Sequence, residues 1–124
     1  MSDILFWMYM TNSILLIIHE IDSAYWKEWD LFKIPGGKTG FLLVHLPLLF
    51  FVLYGLVLVS SHVFSGLIFS LVLCLSGFFA CAIHTYFLKK GKEEFNDPLS
   101  KSLLVLIGIV SVIQLGVTLA VMIV

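Results

Sequence analysis

The chain has 124 residues, of which 60% are hydrophobic and 12% charged, with seven lysines, no arginine and a net charge of −1. An ordinary soluble domain is about a quarter charged and could not hide this much apolar surface. Without a basic field or a single guanidinium fork, nucleic-acid binding is not expected.

Four apolar runs follow in chain order, over about residues 4–21, 41–60, 63–88 and 103–124. Each approaches or exceeds the ~20 residues that cross a hydrocarbon core. They predict an all-α, integral membrane four-helix bundle, with residues 1–124 as a single transmembrane domain. The first run follows Asp3 rather than basic residues and leads into His19-Glu20-Ile21-Asp22 without a small-residue cleavage site, so it reads as a retained anchor. Pro35-Gly36-Gly37 marks a turn before the second run. Only Ser60-Ser61-His62 separates the second run from the third, which predicts a tight antiparallel hairpin with His62 as a solvated turn residue. Asn96-Asp97-Pro98 marks the turn before the fourth. Cys74 and Cys81 lie about 10 Å apart along one helix, too far for a disulfide.

All seven lysines fall in the connections Glu20–Thr39 and Lys89–Ser102. By the positive-inside bias these face the cytoplasm, and both termini face outward. Trp7 and Tyr9 suit the outer aromatic belt; Tyr25, Trp26 and Trp29 suit the inner one.

An ionisable group within a bilayer is costly and usually partnered, which makes the histidines the most informative residues. With this topology His19, His45 and His84, from three different helices, are all expected on the order of 7 to 10 Å below the same interface. Helical spacing refines the faces. Gly66, Ser70, Cys74, Gly77 and Cys81 form a stripe of small residues leading to His84, where a neighbouring helix would pack closely. Asn12 and His19 share a face of the first helix; Ser111, Gln114 and Thr118 form a polar face on the fourth. Pro47 withholds a backbone donor near His45.

Imidazoles with carboxylates are the ligand set of zinc or non-haem iron, and helical bundles build such sites from facing helices. The expected ligands are His19, Asp22, His45 and His84, with Asp22 one turn from His19. Glu20 diverges from His19 by about 100° and is the candidate general base. The depth favours a lipid or other amphiphilic substrate. Trp26 and Glu28 are expected to fold over this pocket as a short interfacial helix. No established metal-binding spacing occurs here. Histidines at a membrane interface also serve merely to satisfy a carbonyl or a neighbouring acid.

The segment His19-Glu20-Ile21-Asp22-Ser23-Ala24-Tyr25-Trp26-Lys27-Glu28-Trp29, followed by the proline-glycine turn and Phe41-Leu42-Leu43-Val44-His45, resembles an uncharacterised family of small bacterial four-helix membrane proteins, a domain of unknown function. The resemblance implies a bacterial inner membrane and supplies no activity. Two other readings stay open. A proton-coupled small transporter would depend on Glu20, although that residue lies at a helix end and the lysine bias argues against dual topology. An accessory subunit would need only packing stripes and aromatic belts, with membrane lipids, a homo-oligomer or a larger complex as partners.

Overall fold

The computed structural model describes residues 3–124, which form four long helices and one short one, without a strand among the described residues. Helix α1 spans Asp3–Tyr25, α2 Glu28–Leu31, α3 Gly37–Ser60, α4 Phe64–Lys89 and α5 Pro98–Ile123. The long helices have 23, 24, 26 and 26 residues and are long and apolar enough to cross a membrane. At 1.5 Å per residue they measure about 34 to 39 Å, against ~30 Å of hydrocarbon. The protein is an all-α, multi-pass membrane protein.

Local chemistry sets the helix ends. Helix α1 runs four residues past Ile21, and Lys27 then takes a left-handed conformation, φ 53°, that turns the chain into α2. Lys33, φ 54°, ends that excursion. The α3–α4 turn passes through His62, exposed and left-handed at φ 57°. At the start of α5, Asp97 caps the helix by accepting from the Ser100 amide at 2.9 Å, and Pro98 follows at a position that needs no amide donor.

Helices α1 and α4 form the short diagonal of the bundle, with α5 packed against both on one side and α3 on the other. Apolar anchors of this core include Leu5, Tyr9, Leu73 and Ile107, each at most 1% exposed. Because lipid is as apolar as leucine, close backbone approach and interhelical hydrogen bonds carry much of the specificity. A Cβ on Gly77 would overlap the Ser111 side chain of α5, so this position of the small-residue stripe lets α4 and α5 touch. Asn12 Nδ2 donates to Gln114 Oε1 at 2.8 Å and to Ser111 Oγ at 3.1 Å. Gln114 Nε2 in turn donates to Ser70 Oγ at 2.8 Å, and the Ser70 and Thr118 hydroxyls bond at 2.7 Å. The polar faces anticipated on α1 and α5 thus meet at mid-bundle, tying α1, α4 and α5 together.

Helix α3 is the peripheral one, with Phe41, Gly55 and Val59 its buried residues. A Cβ on Gly66 would come within 2.9 Å of backbone atoms of Leu58 and Val59, so α3 and α4 close tightly next to their turn. Farther along, α3 is attached to α1 by the Tyr9 hydroxyl, donating to the Val52 carbonyl at 2.9 Å, and by His45.

Candidate metal centre

At the lysine-bearing end, His19 of α1 and His84 of α4 turn into the bundle and are 1% and 2% exposed. Their rings meet edge to face with centroids 4.7 Å apart. Glu28 of α2 completes the group. The left-handed turn at Lys27 folds α2 back so that this carboxylate, 9% exposed, is carried in against the end of the bundle. One potential ligand atom from each of the three residues lies within 4.8 Å of the others.

No hydrogen-bond partner serves His19 Nδ1, His84 Nδ1 or Glu28 Oε2, although all three atoms are buried. An unsatisfied buried polar atom costs about 1–3 kcal/mol, so one on each of three clustered residues calls for a partner. Burial pushes the Glu28 carboxyl above the ordinary glutamate range, with the Ser23 hydroxyl offsetting part of the shift. Phe95, 1% exposed and held at φ 65°, packs on the His84 ring at 4.1 Å and on His19 at 5.7 Å. Phe32 covers another side of His84 at 5.6 Å. The aromatic rings keep water from the polar atoms and restrict their rotation.

The other anticipated site residues are divided between two neighbouring interactions. His45 Nε2 pairs with Glu20 Oε2, while His45 Nδ1 meets the Phe41 carbonyl at 2.6 Å. A carbonyl accepts only, so Nδ1 carries a proton; the contact between Nε2 and a carboxylate oxygen then requires a second proton, held between Glu20 and His45. The 100° step from His19 to Glu20 is the reason: it turns Glu20 toward α3 while His19 faces α4. Asp22 faces α5, where its Oδ2 accepts from Ser100 Oγ at 2.6 Å; Asp97 Oδ2 and Trp26 Nε1 also reach that hydroxyl. Three residues along a helix still leave about 60° of rotation, enough to direct Asp22 to a different neighbour from His19. The carboxylate standing with His19 and His84 is Glu28, nine residues along the chain from His19 across a reversal that periodicity does not register. Phe95 was equally illegible, since nothing in Glu93-Glu94-Phe95-Asn96 singles out its ring.

Two cavities adjoin these groups. One, of about 430 Å³, is bordered by His19, His84, Glu20 and Phe32; the other, of about 400 Å³, by Glu20, His45 and Pro47. Apart from Ser76, which borders both, they are otherwise walled by apolar side chains of α1, α3 and α4, and both lie in the size range of small-molecule sites.

Fold and site together define a multi-pass membrane protein with a buried histidine–carboxylate cluster at one end of its bundle. The chain belongs to a family of unknown function, DUF6713, whose model matches residues 5–121. Neither a curated protein nor a solved structure matches it.

Proposed function

We propose that this protein binds a divalent transition metal, zinc or iron, through His19, His84 and Glu28. The observation that supports the reading is that three buried residues from α1, α4 and α2 bring one potential ligand atom each within 4.8 Å of the others, and that each also holds a buried polar atom without a hydrogen-bond partner. Two imidazoles and one carboxylate are the protein ligands of several zinc hydrolases and of non-haem iron oxygenases, and both classes leave a position open for substrate or solvent. When bound, the metal supplies Lewis acidity at the inner end of a cavity. The chain's own groups do the rest. Phe95 and Phe32 exclude water and hold the His84 ring in place. The Glu20–His45 pair, bordering the same cavities, holds a proton that it can give or take, so Glu20 is the acid–base group and His45 its orienting partner. All seven lysines lie at this end, which supports placing the site in the cytoplasmic leaflet.

The test is elemental analysis of protein purified in detergent without chelator, wild type beside His84→Ala and Glu28→Gln. Near-stoichiometric metal in the wild type, lost in both variants, is expected. A wild type that takes up neither zinc nor iron(II) on equilibration overturns the proposal.

A further inference from the structure

The two cavities have Leu16, Glu20, Leu48, Val72 and Ser76 as common walls, so they lie side by side between α1, α3 and α4 and together make up one elongated lined region. The space has two ends of opposite character. At the lysine-bearing end stand Glu20, His45, His19 and His84; the last two are almost fully buried, each with an unpartnered nitrogen. Away from it the walls are aliphatic and aromatic except for Ser76, whose hydroxyl donates to the Val72 carbonyl. Along α4 the lining runs from His84 back to Val72, about 18 Å by the helical rise.

The way in is equally distinctive. Residues on the rim are lipid-facing: Leu48 is 49% exposed, Leu75 61% and Phe79 65%. Helix α3 is locked to α4 at the Gly66 crossing and is tied to α1 at two further points, by Tyr9 at Val52 and, nearer the lysine-bearing end, by Glu20 at His45. The gap this leaves is a side opening continuous with the hydrocarbon-facing surface of the bundle. A water-soluble metabolite would have to cross lipid to reach it and would find apolar walls. A molecule already in the leaflet would slide in laterally, its apolar part replacing contacts with lipid and its head reaching polar partners that lipid does not offer.

We infer that this space receives one long acyl or alkyl chain of a single-chain amphiphile. Its oxygen-bearing head group lies beside the His19–His84–Glu28 cluster and the Glu20–His45 pair. The assignment of the head to the cluster rests on the metal reading, since a carboxyl or hydroxyl oxygen is a ligand for the position that three protein ligands leave open. The assignment of the chain rests on the cavity alone.

Palmitic acid carrying a diazirine in its chain, photolysed with the purified protein in detergent and mapped by peptide sequencing, tests the inference. Adducts are expected at Leu48, Val72 and Leu75. Unlabelled palmitate or hexadecanol should displace them; octanoate and dioleoylphosphatidylcholine should not. Val72→Trp and, independently, Leu48→Trp should each fill the space and reduce labelling to background with metal content unchanged. Labelling spread equally over outward positions of α5 such as Ile109 and Val112, persistence in both tryptophan variants, or displacement by the phospholipid overturns the inference and leaves the metal reading standing. Displaceable labelling at the expected positions in a wild type that binds no metal supports the chain site and removes the metal reading.

Discussion

Replacing His84 with leucine separates a metal ligand from a structural histidine, because only a ligand makes the stability change depend on metal. In the metal-free protein His84 is 2% exposed with Nδ1 unpartnered. Removing that atom recovers about 1–3 kcal/mol of desolvation cost. Against this stands the loss of three ring contacts, to Phe95, Phe32 and His19, at about 0.5–1.5 kcal/mol for each pair, which offsets the gain. The side chains are similar in size, so no large cavity term enters. His84→Leu should therefore leave the metal-free protein within about 2 kcal/mol of the wild type. With metal the wild type pulls ahead. A ligand at 100 times its dissociation constant adds about 2.7 kcal/mol to the species that binds it, which here is the wild type alone. The assay is unfolding in mixed micelles by titration with denaturing detergent, with EDTA and then with saturating zinc. A variant destabilised by more than about 2 kcal/mol in EDTA, within the range for breaking a satisfied buried hydrogen bond, would refute the reasoning.

Metal affinity should rise with pH. Burial raises the Glu28 pKa above its unfolded value, so the stability this group contributes to the metal-free protein is present below the ordinary glutamate range and lost as pH rises through the folded pKa. Metal binding favours the ionised carboxylate across that same window, and a zinc titration at several pH values should show a shallower dependence in Glu28→Gln. Gln114→Leu breaks the bonds to Asn12 and Ser70. At about 0.6 kcal/mol for each interhelical bond, and at most about 1.7, it should cost about 1–3 kcal/mol in the same micellar assay without altering metal content. A neutral effect would mean that the mid-bundle network is dispensable. Gly66→Val places a side chain against the Leu58–Val59 backbone, which cannot yield as a side chain can, and should cost at least about 1–3 kcal/mol by overpacking. Wild-type stability in that variant would show that α3 and α4 do not cross so closely.

The sequence by itself determined the membrane class, the four helices and the helix faces that meet. Those properties depend on local composition and on a 3.6-residue period, which the bilayer enforces by leaving each backbone polar group to be satisfied within its own helix. Asn12, Gln114 and Ser70 were readable as inward-facing for that reason. Placing His19 and His84 on inward faces at one depth needed only the topology and the helical rise. Tertiary structure decided which polar groups share a point. Whether Asp22 or Glu28 stands with the two histidines depends on a left-handed turn at Lys27 and on about 60° of helical rotation, and whether His45 meets His19 or Glu20 depends on where α3 lies against α1. These are angular and translational relations between separate elements. A one-dimensional period records the face a side chain occupies, whereas the neighbour it meets is set by packing the whole bundle.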